Sequence, residues 1–393
     1  MKKLIALLLA VAMIACLFVG CGKETNEPEE TTTAPTEVNN NEETTTAPEA
    51  PAVALKVAMV TDYGDITDQS FNQTTYEAGK AWCEANNVEF SYFKPTNDSL
   101  EARVASIELA IEQGYNTLLL PGFAFGGAIA ETAAQNPEVY YIALDVSAAD
   151  LGEGYEVPAN VYCAVYQEEL SGFMAGVAAV KLGYTELGFL GGIAVPAVMR
   201  FGYGFVQGAD YAAGLTGAKV NVKYCYGNQF FGDADITAYM DTWYAEGTQV
   251  VFACGGGIYS SAAEAAVKVN GKVIGVDVDQ KGIIDGTYGE GLTVTSAMKG
   301  LGATVKATLT GLAAGNWADY STKVETLGLV SGTDLEANFV QLPTTTQFGE
   351  GFTAEDYAAL VADMFAGTVV VSGAIDAEPA VANITVDYQG NIK

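Results

Sequence analysis

Short apolar segments alternate with amphipathic segments of helical period along most of the chain, and this alternation limits the fold more than any other feature of the sequence. In the first half, the predicted strands are residues 54–60, 88–93, 117–120 and 139–145, and the predicted helices are residues 72–86, 99–113 and 126–135. Strands separated by helices form a parallel sheet with helices on both faces. We therefore predict a doubly wound α/β unit.

The same alternation repeats between residues 170 and 277, which predicts a second α/β unit. We expect an N-terminal lobe over residues 54–165 and a C-terminal lobe over residues 166–280. Residues 281–393 would supply hinge crossovers and final elements to both lobes. Ligands of open α/β sheets bind beyond the carboxyl ends of the strands, and in a bilobal protein those ends face each other across a cleft. The residues that follow each strand are therefore the candidate site.

The first twenty residues have the pattern of a secretory signal peptide. Lys2 and Lys3 precede an unbroken apolar run over residues 4–20. The small residue before Cys21 and the polar residues after it resemble a bacterial lipobox, in which this cysteine is acylated. Cys16 is a competing site, and an uncleaved membrane anchor is the alternative to cleavage. Residues 21–53 are acidic and rich in Thr and Pro, which predicts a disordered tether.

Composition excludes several classes of function. The chain has no histidine, so it cannot assemble a Ser-His-Asp triad, a Cys-His nucleophile or a His-ligated zinc site. Lys and Arg number 18 against 48 Asp and Glu, a net charge of -30. Such an acidic protein repels phosphate backbones, so we expect no nucleic-acid partner. We also expect no metal, no cofactor and no enzymatic activity.

Four cysteines lie beyond Cys21: Cys83, Cys163, Cys225 and Cys254. None belongs to a CxxC pair, which argues against metal ligation. Their mostly apolar surroundings favour free buried thiols, with a disulfide as the alternative.

Polar and aromatic residues follow the first predicted strand. Asp62 comes directly after it, and Asp68, Ser70, Phe71 and Asn72 lead into the first helix. An aromatic ring beside amide and carboxylate groups suits a planar ligand, which the ring would stack while its neighbours bond the ligand's edges. The alternative is that Asp68 and Ser70 only cap the helix.

Later strands end in comparable groups. Asp145 ends the strand at residues 139–145, and Phe230 lies among the amide and aromatic residues that follow the strand at 220–226. Gly256 lies in a glycine-rich turn that lacks the Lys and Ser/Thr of a phosphate-binding loop. We expect these glycines to let the backbone approach a neutral ligand closely.

Two carboxylates follow the strand at residues 272–277. Strand alternation predicts that Asp277 and Asp279 share one face. Such a pair fits hydrogen bonds to sugar hydroxyls or the acid and nucleophile of a glycosidase. A lone lysine such as Lys299 is usually a solvated surface residue. The apolar stretch over residues 191–205 is interpreted mainly as a packing element.

Several motifs in order and spacing resemble the basic membrane protein family of ABC-transporter substrate-binding lipoproteins, over about residues 54–310. They are residues 68–73 (Asp-Gln-Ser-Phe-Asn-Gln), 190–192 (Leu-Gly-Gly), 200–205 (Arg-Phe-Gly-Tyr-Gly-Phe), 255–257 (Gly-Gly-Gly) and 275–280 (Gly-Val-Asp-Val-Asp-Gln). The resemblance implies a type I periplasmic-binding-protein-like fold, with two Rossmann-like lobes, three hinge crossings and a ligand held in the interlobe cleft.

The resemblance also implies roles for most of the candidate site residues. Phe71 and Phe230, or Phe231 in place of the latter, would stack a purine base. Asn72 and Asp145 would contact the edges of the base or ribose. The backbone of Gly256, the Asp277 carboxylate and the Lys299 ammonium group would complete the polar set.

We therefore predict a monomeric receptor that captures a purine nucleoside outside the cytoplasm and delivers it to an ABC permease with its ATPase. The acyl group on Cys21 would anchor it to the cell membrane, facing the extracytoplasmic side. Two alternatives remain open at this point: a sensory receptor for the same ligand class, and a secreted nucleoside hydrolase or glycosidase that uses Asp277 and Asp279.

Overall fold

The computed structural model describes residues 54–62 and 64–393. The predictions for the signal peptide, Cys16, Cys21 and the tether lie outside these residues. The described strands are β1 (Lys56–Val60), β2 (Glu89–Phe93), β3 (Thr117–Pro121), β4 (Tyr140–Leu144), β5 (Val161–Tyr166), β6 (Glu186–Gly191), β7 (Val220–Tyr226), β8 (Val250–Cys254), β9 (Lys272–Asp277), β10 (Thr293–Lys299), β11 (Val324–Leu327), β12 (Val340–Gln341) and β13 (Ile384–Asn391).

The helices alternate with these strands for most of the chain. They are α1 (Phe71–Asn86), α2 (Leu100–Glu112), α3 (Phe125–Thr132), α4 (Ala148–Leu151), α5 (Glu168–Lys181), α6 (Pro196–Thr216), α7 (Ala234–Ala245), α8 (Tyr259–Ala266), α9 (Lys281–Tyr288), α10 (Leu301–Ala313) and α11 (Ala354–Phe365). Within the described residues, none of the helices has the length and apolar character needed to cross a membrane.

The strands form two sheets. Lobe 1 is built on the six-stranded sheet β11-β5-β4-β3-β1-β2, and lobe 2 on the seven-stranded sheet β12-β10-β9-β8-β6-β7-β13. The described pairs run parallel except β10 with β12. This confirms the predicted α/β fold of two doubly wound lobes. The predicted residue boundaries of the lobes stay a prediction.

Each sheet is covered on both faces. In β1, Val57 and Met59 pack with α1 and α10, whereas Ala58 and Val60 pack with α2 and α3 on the opposite face. The sheet of lobe 2 lies between α5, α6 and α11 on one face and α7 and α8 on the other. Burial on both faces explains why β3 and β8 are continuously apolar rather than alternating.

The chain passes between the lobes three times. It leaves lobe 1 after β5 to form α5, returns after β10 to form α10, and crosses again between β11 and β12. These crossings place the carboxyl ends of both sheets on either side of one space.

Helices α5 and α6 approach unusually closely. A Cβ on Gly172 would lie 2.1 Å from the carbonyl oxygen of Phe201, and a Cβ on Gly204 would lie 2.1 Å from that of Glu169. Only glycine fits at such distances. The contact brings the first residues of α5 beside Arg200 in α6, next to the candidate site.

The four described cysteines are buried and free, which confirms the prediction of free buried thiols. The predicted bounds of two strands, residues 220–226 and 272–277, match β7 and β9. Strand β5 was not predicted.

Candidate ligand-binding site

A cavity of about 790 Å³ lies at the carboxyl ends of the strands of both sheets. It contains nine of the ten residues that the sequence predicted for ligand binding. These nine are Asp62, Asp68, Phe71, Asn72, Asp145, Phe230, Gly256, Asp277 and Lys299. The tenth, Ser70, lies behind the wall and donates a hydrogen bond from Oγ to Asp277 Oδ2 at 2.5 Å. The fold therefore brings the predicted set together, although their role in ligand binding stays a prediction.

Asp68 organises the entrance to α1. Its carboxylate accepts hydrogen bonds from the backbone N–H groups of Ser70, Asn72 and Gln73 at 2.9, 2.9 and 3.0 Å. Asp68 thus caps the helix, and it also lines the cavity, so whether it only caps stays untested. The capping alternative is wrong for Ser70, because the hydroxyl of Ser70 makes no capping bond and points to Asp277 in the other lobe.

Aromatic rings enter the cavity from both lobes. Phe71 is the first residue of α1, and its ring lies 4.8 Å from Lys299 Nζ. Phe230 and Phe231 come from the loop after β7; Phe230 is half-buried, and Phe231 is 52% exposed. Both line the cavity, with Phe230 the more enclosed ring.

Glycines of lobe 2 make room for Phe230. A Cβ on Gly192 would lie 2.4 Å from Phe230 Cδ1, and one on Gly255 would lie 2.9 Å from the same atom. Gly256 has a φ of +51°, and its Cβ would lie 2.7 Å from the carbonyl oxygen of Phe230. These glycines therefore leave the space that Phe230 occupies, and Gly255 and Gly256 also line the cavity. That their backbone approaches a ligand closely stays a prediction.

Lys299 lies at the centre of a buried ion cluster. Its Nζ is 2.5 Å from Asp145 Oδ2, 3.4 Å from Glu168 Oε1 and 3.8 Å from Asp277 Oδ1. Glu168 also accepts a hydrogen bond from Arg200 Nε at 2.6 Å. Lys299 is 5% exposed, so the interpretation of a solvated surface lysine is wrong. The cluster joins the two lobes, because Asp145 follows β4 and Lys299 ends β10.

Burial and charge together set the protonation of this cluster. Burial alone would lower the pKa of Lys299, but the carboxylates of Asp145, Glu168 and Asp277 outweigh it and raise that pKa above its ordinary value. Burial raises the pKa of Asp145 to about 6, with Lys299 acting in the opposite direction. Burial also raises the pKa of Asp277. The site is therefore a low-dielectric space in which two cations, Lys299 and Arg200, face three carboxylates.

The backbone at the ends of β4 and β9 determines where two of these carboxylates point. Asp145 and Asp277 have φ values of 59° and 65°, in the left-handed region that non-glycine residues seldom adopt. Such conformations cluster at functional sites.

The left-handed backbone at Asp277 also turns the chain before Asp279. The prediction that Asp277 and Asp279 share one face is therefore wrong. The N–H of Val278 bonds to the carbonyl of Val276 at 2.7 Å, which ends the strand alternation. Asp279 instead accepts hydrogen bonds from Thr345 Oγ1 and from the N–H of Lys281. A hydrolase that uses this pair as acid and nucleophile therefore has no geometric basis.

Two acceptors that belong to residues lining the cavity lack partners among the described residues. Asp145 Oδ1 and Asn72 Oδ1 are buried without a hydrogen bond. The other side-chain atoms are used, because Asp145 Oδ2 faces Lys299 and Asn72 Nδ2 donates to Asp68 Oδ2 at 3.2 Å. A buried acceptor without a donor costs free energy, so these two oxygens suit a ligand that presents N–H or O–H groups.

Sequence reasoning missed Glu168 and assigned Arg200 to packing. Both belong to the ion cluster, and Arg200 lines the cavity. The available signal for Glu168 was the apolar segment over residues 161–166, which is β5. Recognising this strand would have placed Glu168 directly after its carboxyl end.

Comparison with known families and sequences gives consistent results. The family model described as ABC transporter substrate-binding protein PnrA-like (Bmp) matches residues 55–333. The ABC transporter nucleoside-binding protein BmpA of Lactococcus lactis subsp. cremoris is 30% identical over 240 residues, which are 58% of this chain and 65% of that protein. Basic membrane protein B of Borreliella afzelii is 27% identical over 262 residues, which are 65% of this chain and 72% of that protein. The chain thus spans about two thirds of the length of these relatives.

Solved structures support the fold. An ABC transporter solute-binding protein from Conexibacter woesei superposes with a TM-score of 0.63 at 21% identity, over 81% of this chain and 99% of that one. A solute-binding protein from Aeropyrum pernix gives a TM-score of 0.62 at 19% identity, over 80% and 87%. The matched family is one of ABC transporter substrate-binding proteins, in agreement with the expectation that this chain is not an enzyme.

Proposed function

This chain belongs to the Bmp family of PnrA-like ABC transporter substrate-binding proteins, and from this premise we propose that its interlobe cavity captures a purine nucleoside for import. Proteins of this class work outside the cytoplasm and deliver their ligand to a permease. Support for a nucleoside comes from the name of the Lactococcus lactis relative and from the chemistry of the cavity walls.

The observation that carries the proposal is a pair of unpartnered acceptors, Asp145 Oδ1 and Asn72 Oδ1, on two residues of the wall that the rings of Phe71 and Phe230 also line. Rings of this kind stack a flat base, and acceptors fixed at the wall bond the N–H groups on its edge. We therefore propose that bases with an N1–H donor, hypoxanthine and guanine, bind more tightly than adenine.

Carboxylates suit the ribose, and the charge balance disfavours phosphate. Asp277 is held by Ser70 Oγ and lies near Lys299, so its remaining acceptor capacity is available to ribose hydroxyls. The two cations of the cluster, Lys299 and Arg200, already face carboxylates. Lys94, the third described cation of the cavity wall, is paired with Asp65. Each described cation of this wall thus already faces a carboxylate, so a phosphate would meet repulsion and a nucleoside fits better than a nucleotide.

Calorimetric titration of the protein, freed of any co-purified ligand, tests the proposal with inosine, guanosine, adenosine, cytidine, ribose and inosine monophosphate. We expect inosine and guanosine to bind at least about tenfold more tightly than adenosine, because one charge-assisted hydrogen bond is lost with adenosine. Binding of ribose alone, or of the monophosphate as tightly as inosine, would contradict the proposal.

Two substitutions connect such binding to this cavity. Phe71→Ala removes one stacking surface, and we expect it to weaken inosine binding by about ten- to a hundredfold. Phe365→Ala is the matched control, because this ring is 51% exposed at the end of α11 and does not line the cavity. Equal effects of the two variants would place the ligand elsewhere.

We further propose that the protein is a monomer anchored to the extracytoplasmic face of the cell membrane through an acylated Cys21. The support is the lipobox-like sequence before Cys21 and the polar segment that follows. Labelling of cells with a fatty-acid analogue tests this proposal. The label should be lost in Cys21→Ala and kept in Cys16→Ala, and the reverse result would assign the anchor to Cys16.

A further inference from the structure

Gln280 connects the two lobes without lining the ligand cavity. Its Nε2 donates a hydrogen bond to the carbonyl oxygen of Gln69 at 3.1 Å. Gln69 precedes α1 in lobe 1, whereas Gln280 precedes α9 in lobe 2. The contact lies in a separate groove of about 320 Å³, lined also by Gln73 and Val278.

The amide of Gln280 is fixed by its own lobe. Its Oε1 accepts the N–H of Val276 at 2.9 Å, and its backbone N–H donates to Ser296 Oγ at 3.2 Å. Gln280 is 1% exposed, and a Cβ on Gly275 would lie 2.9 Å from its Oε1. These contacts leave the Nε2 group as the part of the amide that reaches the other lobe.

The acceptor in lobe 1 is also held in place. Gln69 has a left-handed backbone with φ of 57°, and its N–H donates to Gln73 Oε1 at 3.0 Å. The next residue, Ser70, donates to Asp277 Oδ2. Two consecutive residues of lobe 1 thus bond to lobe 2. Ser70 bonds to Asp277, which lines the cavity, and Gln69 bonds to Gln280, which lies outside it.

We propose that Gln280 is a positioning residue that stabilises the closed arrangement of the lobes and so slows ligand release. Its bond to Gln69 exists only while the lobes are together, and neither atom lies where a ligand would bind. A residue of this kind changes affinity through the population of the closed form rather than through ligand contact. The effect on ligand release rests on the proposed nucleoside function, but the effect on lobe closure does not.

Gln280→Glu is the primary test, measured from about pH 7 to about pH 9, because burial raises the pKa of a carboxyl here and only its ionised form lacks a donor for Gln69. The variant keeps an oxygen for the N–H of Val276 but faces the carbonyl of Gln69 with an acceptor instead of a donor. Gln280→Met is a second, neutral variant. Gln73→Glu is the matched control, because it adds the same charge in the same groove and keeps the oxygen that bonds Gln69 within lobe 1.

We expect both Gln280 variants to raise the dissociation rate of inosine about tenfold, with an association rate within about twofold of wild type. Gln73→Glu should leave both rates within about twofold of wild type. Unchanged dissociation rates in both Gln280 variants would overturn the proposal, and so would an equal change in Gln73→Glu.

A distance measurement separates this proposal from the ligand assignment. Spin labels on Glu108→Cys in lobe 1 and Lys219→Cys in lobe 2, both exposed sites, report the interlobe distance. The four native thiols that the structure describes are buried. In ligand-free protein, the Gln280 variants should shift the distance distribution toward longer values than wild type. If wild type binds no nucleoside but the shift occurs, the ligand assignment fails and the role of Gln280 stands. An unchanged distribution overturns the role of Gln280 whether or not inosine binds.

Discussion

Replacing Lys299 with methionine should remove the cation on which the buried cluster depends. Lys299 is 5% exposed and lies within 4.0 Å of three carboxylates, those of Asp145, Glu168 and Asp277. Methionine preserves most of the side-chain volume, so the main loss is electrostatic. Breaking a buried ion pair by removing one partner costs about 3–5 kcal/mol, because it leaves a buried charge uncompensated. We expect Lys299→Met to lower the free energy of unfolding by this amount at neutral pH.

The loss should depend on pH in a defined direction. Burial holds the folded-state pKa of Asp145 at about 6 even beside Lys299, against an ordinary value of 3.8. Without the ammonium group this pKa rises further. A carboxyl with a raised folded-state pKa stabilises the fold while it is protonated, and that contribution is lost as the pH rises through the folded-state value. Lys299→Met should therefore lower the free energy of unfolding less at about pH 5 than at about pH 7.5.

Guanidinium unfolding followed by tryptophan fluorescence measures these differences at both pH values, since the chain has three tryptophans. Lys306→Met is the control, because Lys306 is exposed on α10 and its loss should cost less than about 0.5 kcal/mol. Adding Asp145→Asn to Lys299→Met should recover part of the stability. A loss below about 1 kcal/mol at neutral pH, or an equal loss at both pH values, would refute the reasoning.

Three further predictions follow from other parts of the structure. Burial raises the pKa of Glu169 to about 7 from an ordinary value of 4.5, so its stabilising contribution is complete below about pH 4.5 and is lost as the pH rises through 7. Glu169→Gln should therefore make the free energy of urea unfolding fall less between about pH 5 and about pH 8. The same fall in both proteins would contradict this prediction. Gly192→Ala places a Cβ 2.4 Å from Phe230 Cδ1, so calorimetry should give about tenfold weaker inosine binding, whereas unchanged affinity would argue against a role for that ring. The four described thiols are buried and burial raises the pKa of each, so a thiol reagent should label them only after unfolding; rapid labelling of the native protein would disagree with the fold.

The sequence was sufficient to predict the alternation of strands and helices and the residues that gather at the strand ends. This works because parallel strands place their carboxyl ends at one edge of a sheet, so Asp145 and Asp277 are brought to the cavity by topology alone. Their partners were harder to predict. Lys299 bonds to Asp145 across 154 residues of sequence, and no local pattern records which cation meets which carboxylate.

Local backbone geometry explains the remaining differences. The prediction for Asp279 assumed continued strand alternation, whereas the left-handed conformation of Asp277 ends it. The glycines at 255 and 256 have the composition of a ligand-binding turn, and the structure adds that they leave room for Phe230 from a different loop. Such contacts depend on tertiary packing, to which composition and periodicity are not sensitive.

The crystal structure of the protein with inosine bound is the measurement that tests the central claim most directly. The account predicts that the base lies against Phe71, with its N1–H directed at Asp145 Oδ1, and that the ribose hydroxyls face Asp277. A nucleoside bound outside this cavity, or a base that directs no donor at Asp145 or Asn72, would contradict it.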